Sequence, residues 1–166
     1  MPAQTRSDAI DIARTTLDRA GVSTEWRVCD LAHRSADCDA PYSGSEVSVR
    51  LVPRPSNRSI SGLAISFVTV ADGTGAYTSV FYDLIAASAH RHECATSLML
   101  GYIMAHELGH LLGLKHASRG IMKRDFGAPE MDLARRGLLV FSDPELRSLR
   151  AAAGRLDASA ALAATN

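Results

Sequence analysis

The sequence predicts a single α+β domain over residues 1–166, with a helix, a sheet and a long buried helix following one another along the chain. Three observations predict it. Apolar residues recur at helical spacing near the start, runs of β-branched and aromatic residues fill the middle, and a proline-free segment spans about residues 89–114. The length fits one domain, and 46% hydrophobic residues are enough for a core.

The N-terminal half predicts one helix followed by about four strands. Ser7 and Asp8 are typical N-cap residues, and Gly21 is expected to end the first helix. Strands are predicted at 24–29, 46–52 and 63–70, and a fourth at 76–85 after the turn DGTG at 72–75. The expected sheet is twisted and mostly antiparallel at its edges.

The C-terminal half predicts a central helix and a small part with a last helix. Residues 98–114 are apolar on nearly every side, which is typical of a helix at the centre of a domain, and Gly113 is expected to end it. Ser142 and Glu145 predict a capping box at the start of the last helix, at 142–154. The Ala-rich end, about 155–166, is expected to fray or to extend that helix loosely.

Charge and hydropathy exclude several classes of protein. Eighteen basic residues balance eighteen acidic ones, so no nucleic-acid partner is expected. The locally basic segment RLVPRPSNRS, 50–59, is interpreted as a solvated loop. The apolar stretch 98–114 contains Glu107 and is slightly too short to span a bilayer. The start MPAQTRSDAI lacks the apolar run of a signal peptide, so we expect either the mature form of a secreted or periplasmic protein or a cytosolic protein.

The three cysteines leave two interpretations open. Cys29 and Cys38 enclose a short polar loop that a disulfide could close, whereas Cys94 would stay free. Buried free thiols are the alternative.

The segment HELGHLLGLKH, 106–116, places three histidines and a glutamate among apolar residues. A random H-E-x-x-H in such a chain has a chance on the order of one per cent. On a helix, the imidazoles of His106 and His110 point the same way, one turn apart. Gly113 can turn the chain back so that His116 approaches as a third ligand. Glu107 lies beside the metal at an angle that suits a bound water better than the metal.

This arrangement predicts a catalytic zinc site. Three imidazoles leave a fourth position open for water, whereas structural sites fill all four positions with protein ligands. Zinc lowers the pKa of that water to about 7, Glu107 takes the proton as general base, and the hydroxide attacks a polarised carbonyl. A helix that merely carries satisfied histidines is the weaker interpretation, because buried charge without a partner is costly.

The same residues resemble a known family. HELGHLLGLKH resembles the extended zinc signature of the metzincin metallopeptidases, and GIM, 120–122, resembles their Met-turn. WRVCD, VFYDLI and HASRGIM are similar to a group of small, mostly uncharacterised bacterial metzincin-like proteins. The resemblance covers roughly residues 7–126. It implies a zincin-like fold, a zinc ion held by His106, His110 and His116, Glu107 as the base, and Met122 as a hydrophobic floor that does not bind the metal.

The resemblance also implies how substrate binds, and the chain departs from the family in places. A peptide or protein substrate is expected along an upper edge strand, Tyr77 to Leu84. The gap from His116 to Met122 is short, and Lys123 follows the methionine where several branches carry Tyr or Ser. No inhibitory pro-segment is expected before the first helix. His90, His92 and Glu93 are interpreted as a solvated helix start rather than a second metal cluster. His33 has no expected role.

The function predicted from the sequence is that of a monomeric zinc endopeptidase. Glu107 would assist the attack of zinc-bound water on the peptide bond. The alternative is a zinc-binding pseudo-peptidase, which keeps the fold and the metal but uses its cleft to bind an extended chain without cutting it.

Overall fold

The computed structural model describes residues 1–30, 38, 46–53, 62–68 and 75–163. Five helices and three strands follow one another in these ranges: α1 Ala3–Arg19, β1 Ser48–Val52, β2 Ala64–Val68, β3 Gly75–Phe81, α2 Tyr82–Arg91, α3 Thr96–Leu111, α4 Ala128–Arg135 and α5 Asp143–Ala163. The architecture is mixed α and β, as the sequence predicts. Of the features predicted from the sequence, the loop at 54–59, the turn residues 72–74, the strand end 69–70 and His33 lie outside the described residues.

Helix α1 confirms the first predicted helix but begins earlier. Its N-cap is Pro2 rather than Ser7 or Asp8, so the capping prediction is wrong. Gly21 follows the C-cap with φ of 79° and ends the helix as predicted. Ala9, Ala13 and Leu17 are buried in the core. Their spacing explains why the apolar periodicity identified this helix correctly.

The sheet has three strands among the described residues, in the order β1-β3-β2. β1 runs parallel to β3 and β2 runs antiparallel to it. The predicted strand at 24–29 is wrong, because residues 22–29 form neither a strand nor a helix. There the indole N–H of Trp26 donates to the hydroxyl of Thr24 at 2.9 Å, and the Trp26 side chain packs against the core. Aromatic residues are common in strands, but Trp26 packs against the core without belonging to one.

The predicted fourth strand, 76–85, changes to a helix after Phe81. Residues 82–85 form the first turn of α2, and Asp83 lies there as an acidic first-turn residue. Tyr77 to Leu84 is therefore not an edge strand. Its first five residues lie in β3, which is paired on both sides, and its last three are helical. Among the described strands, the edges are β1 and β2.

Helix α3 crosses the centre of the molecule, and both β2 and β3 lie against it. It begins at Thr96 and not near residue 89, because the chain turns at His92 and Glu93 after α2 ends. The Arg135 side chain donates to the carbonyls of both turn residues, at 2.6 Å and 3.1 Å. HRHEC is therefore a helix end and a turn, and the predicted helix start is wrong. The described helices include none that is long and apolar enough to cross a membrane.

Close packing of α1 on α3 depends on a glycine. A Cβ atom at Gly101 would lie 2.7 Å from the Ile12 side chain and 2.8 Å from the carbonyl oxygen of Ala9. Both distances are shorter than van der Waals contact allows, so only glycine lets the two helices approach so closely. This contact fixes α3 against the N-terminal helix.

The C-terminal part contains two helices, and the sequence predicted the second of them. α5 begins at Asp143, and the carboxylate of Glu145 accepts a hydrogen bond from the backbone N–H of Ser142 at 2.6 Å, as the capping box predicts. The backbone of α5 remains helical to Ala163, so the Ala-rich end extends the helix. The short helix α4 was not predicted.

A disulfide joins Cys29 to Cys38, and Cys94 is free. This selects the bridged alternative over buried thiols. We expect replacement of both bridged cysteines by serine to lower the free energy of unfolding by about 2–3 kcal/mol, because the bridge closes a loop of nine residues in the unfolded chain. Urea unfolding would measure the loss, with Cys94→Ser as the matched control. Alkylation of all three thiols in unreduced, unfolded protein would contradict the bridge.

Candidate metal centre

Three imidazoles meet at the C-terminal end of α3. His106 and His110 lie one turn apart on this helix, with ring centroids 4.7 Å apart. The ring of His116 lies 4.6 Å from that of His110 and 5.4 Å from that of His106. One ring nitrogen from each histidine can be chosen so that all three lie within 4.8 Å of one another. The three predicted ligands are therefore positioned to hold a metal ion.

The turn after α3 brings His116 to the other two histidines. Helix α3 ends at Leu111, and Gly113 adopts φ of 89°, the left-handed conformation that glycine reaches without steric cost. The N–H of Gly113 donates to the carbonyl of His110, and the N–H of Leu114 to that of Gly109, both at 2.9 Å. This pair of bonds is a Schellman motif, which reverses the chain direction at the helix end.

Backbone carbonyls orient the two helical histidines. Nδ1 of His106 lies 2.7 Å from the carbonyl oxygen of Ile121, and Nδ1 of His110 lies 2.8 Å from that of Leu114. Because a carbonyl oxygen only accepts hydrogen bonds, each Nδ1 must carry the hydrogen. The lone pair of each ring is then on Nε2, which is the atom left for a metal.

The spacing of these nitrogens fits tetrahedral zinc. Nε2 of His110 lies 3.2 Å from Nε2 of His116. Two nitrogens bound to one tetrahedral zinc ion at 2.0–2.1 Å are about 3.3 Å apart. The donor set, three imidazoles without a thiolate, suits zinc and several other divalent transition metals. The geometry supports a metal site without identifying the metal.

Burial lowers the pKa of two of the three histidines. Burial lowers the pKa of His106 to about 4, the positive charges of His110 and His116 act in the same direction, and the bond to Ile121 opposes them. Burial also lowers the pKa of His116, with the charges of His110 and Arg124 adding to the effect and Asp125 opposing it. Both imidazoles are therefore neutral at pH 7, the form that binds a metal.

Glu107 is buried beside the first histidine, with 6% of its surface exposed. The hydroxyl of Thr78 in β3 donates to its Oε2 at 3.3 Å. Among the described residues, the group of side chains close enough together to hold a metal ion consists of the three imidazoles and does not include this carboxylate. That Glu107 acts as a base and not as a ligand stays a prediction.

Met122 lies in a tight turn beneath α3. It is fully buried, and a Cβ atom at Gly109 would lie 2.6 Å from its sulfur. Gly109 is on the helical turn between the two ligands, so glycine there lets the Met122 side chain pack directly on the helix. The carbonyl of Met122 accepts a bond from the N–H of Ala117 at 2.8 Å, next to His116. Met122 therefore packs on the helix that carries two of the three histidines.

Several supporting groups could not be found from side-chain types. The carbonyls of Ile121 and Leu114 carry no sequence signal, because any residue could supply them. Phe126 packs edge-on against the ring of His106 at 5.8 Å. Lys123, singled out as a departure from the family, forms an ion pair of 2.5 Å with Glu130 of α4.

Comparison of the chain with protein families, with curated proteins and with solved structures gives no match.

Proposed function

We propose that the chain is a zinc-dependent endopeptidase in which Glu107 serves as the general base. The observation that carries the proposal is the cluster of three imidazoles, each with one ring nitrogen within 4.8 Å of the others. Backbone carbonyls orient two of them, His106 and His110, and the Nε2 atoms of His110 and His116 lie at the spacing that tetrahedral zinc requires. The adjacent buried carboxylate supplies the acid–base group that hydrolysis needs.

Access to solvent supports a catalytic site over a structural one. The side chain of His106 is buried, that of His110 is half-buried and that of His116 is exposed, so the cluster opens to solvent on one side. Structural zinc sites have four protein ligands, usually including thiolates. Here Cys29 and Cys38 are bridged to each other, and the sulfur of Cys94 lies 3.8 Å from that of Met131. The known positions of the cysteines therefore favour a site with an open coordination position.

The histidines, Glu107 and Thr78 would have different roles in peptide hydrolysis. A bound zinc ion would polarise the substrate carbonyl and favour ionisation of water. His106, His110 and His116 would hold that ion, and Glu107 would accept a proton from the attacking water and return it to the leaving amine. Thr78 would keep one oxygen of Glu107 in place through its hydrogen bond.

A sheet edge supports binding of an extended substrate. β2 is an antiparallel edge strand of the described sheet and lies against α3, which carries two of the ligands. Extended peptides add to such edges through backbone hydrogen bonds. In this proposal the substrate lies along β2, at Ala64–Val68, and not along the paired strand that follows it.

The disulfide supports a secreted or periplasmic location. Disulfides form and persist in oxidising compartments and are rare in the cytosol of mesophilic cells. The bridge between Cys29 and Cys38 therefore favours the proposed export of the mature protein.

A peptide-binding protein without peptidase activity is the second candidate. The bond from Thr78 to Glu107 favours it, because this bond occupies part of the carboxylate that a base would use. In this alternative the metal and the sheet edge persist, and an extended chain binds without being cut.

Digestion of a broad peptide library by the zinc-loaded protein would separate the two functions. We expect new peptide ends in the wild-type digest, their loss with the chelator 1,10-phenanthroline and their return when zinc is added in excess. Mass spectrometry of the products provides the readout. An intact library after incubation with fully zinc-loaded protein would contradict the endopeptidase and leave the binding function.

A further inference from the structure

Basic residues are concentrated in the segment that carries the third ligand of the candidate metal centre. Residues 108–124 contain four basic side chains and no acidic one, although the whole chain has eighteen of each. Three of them, Lys115, Arg119 and Arg124, are exposed. None of these three forms an ion pair within the described part of the chain. We call them the cationic rim.

Backbone pairing places the rim beside the third ligand. Lys115 directly precedes His116 in sequence. Ala117 forms a parallel bridge with Lys123, which brings the segment that follows Met122 alongside the segment that follows His116. Arg124 is the next residue after that bridge, and its charge acts on the ring of His116. Arg119 lies in the turn that the bridge closes.

The fourth cation has a different role. Lys123 pairs with Glu130, a buried carboxylate that also accepts the N–H of Gly127 at 2.9 Å. Burial raises the pKa of Glu130, but the bonds from Lys123 and Gly127 outweigh burial and lower it, so this carboxylate is ionised at neutral pH. The pair fixes the segment that carries Arg124 and neutralises Lys123. Asp125 directly follows Arg124 and is the one acidic residue of the segment 108–125, which also carries the three cations of the rim.

We propose that the cationic rim selects peptides with acidic side chains near the bond to be cleaved. This inference rests on the proposed peptidase function of the same site. An exposed positive rim raises the local concentration of anionic segments, and guanidinium groups pair with carboxylates in defined geometry. Of the three, Arg124 is proposed as the principal specificity residue, because the bridge between Ala117 and Lys123 brings its segment alongside that of the ligand His116.

Profiling of cleavage sites would test this selection. In a digest of proteome-derived peptides, we expect Asp and Glu to be enriched within about three residues of the cleaved bonds. The best-cleaved sequence would then be made as a fluorogenic pair that differs by one Glu→Gln change. We expect kcat/KM to be about 1.5-fold to fivefold lower for the Gln peptide, the range of one exposed ion pair. The difference should shrink at high salt.

Charge reversal would assign the selection to the rim. Arg124→Glu should abolish or invert the preference between the Glu peptide and a matched Lys peptide, with zinc content unchanged. Arg91→Glu is the control, because Arg91 is exposed at the end of α2, before the N-terminal end of α3, whereas the ligands lie at the C-terminal end of α3. An unchanged preference in Arg124→Glu, or cleavage by the wild type without regard to charge, would overturn the proposal.

A binding measurement separates failure of the rim from failure of the peptidase. If the zinc-loaded wild type cleaves nothing, three labelled peptides of one common sequence that differ only in a central Glu, Gln or Lys would be titrated by fluorescence anisotropy. Tighter binding of the Glu peptide that is lost in Arg124→Glu would support the rim while the peptidase fails. Equal binding of the three peptides would overturn the rim as well.

Discussion

Replacing Glu107 by Gln should lower the turnover of a cleaved peptide by about 10²- to 10⁴-fold, the usual cost of losing a general base. The zinc content should not change, because the group of side chains close enough together to hold a metal ion does not include this carboxylate. Gln has the same size as Glu, and its amide oxygen can still accept the hydroxyl of Thr78. The fold is therefore expected to persist, so that the fall reports the lost proton acceptor.

Glu93→Gln is the matched control for this variant. Glu93 is exposed in the turn before α3, and its replacement should leave both turnover and zinc content at the wild-type level. Steady-state kinetics and metal analysis would be made on the same samples. Wild-type turnover in Glu107→Gln would refute the proposed mechanism. Loss of zinc would instead identify Glu107 as a ligand or as a support of the ligands.

The metal centre was predictable because its signal is local. His106 and His110 needed only the helical repeat, and Gly113 needed only its freedom to adopt positive φ. Both features belong to eleven consecutive residues and hold in the structure. The groups that orient the rings were not predictable, because Ile121 and Leu114 contribute through backbone carbonyls. Such contacts follow from the path of the chain and not from residue type.

The sheet was predicted less well because strand pairing is not local. The run TEWRVC has strand-forming residues, but Trp26 is anchored by packing and by a bond to Thr24. The aromatic run 76–85 is compatible with either a strand or a buried helix. The sequence signal for the change from strand to helix after Phe81 is a single acidic residue in the first helical turn. Which strand forms an edge depends on partners distant in sequence.

Two helix boundaries could have been read from the sequence more closely. Glu130 lies three residues after Gly127 and accepts its N–H, and Pro129 lies in the first turn, which together predict the start of α4. The break between α2 and α3 has a weaker signal. Glu93 adopts φ of 49° there, a conformation that glutamate rarely adopts, and the carbonyl bonds from Arg135 of α4 hold the turn. Only the tertiary structure supplies that arginine.

Removing one imidazole should reduce zinc affinity by more than about 100-fold, because loss of an outer hydrogen-bond partner alone costs 10- to 100-fold. His116→Ala is the cleanest variant to make. His116 is exposed, so its truncation leaves no cavity in the core, whereas His106 is 4% exposed and its loss would also disturb packing. Purified wild type should carry about one zinc ion per chain, and the variant should release it on dialysis.

His90→Ala is the control for this prediction, since His90 is an exposed histidine on α2 and lies outside the cluster. Competition with a chromophoric chelator would give the zinc affinity of each protein, and circular dichroism would check that each is folded. Zinc should also raise the melting temperature of the wild type and of His90→Ala, because it binds the folded chain, but not that of His116→Ala. Full zinc occupancy in a folded His116→Ala or His110→Ala variant would refute a three-histidine site, because two imidazoles alone would then account for the binding.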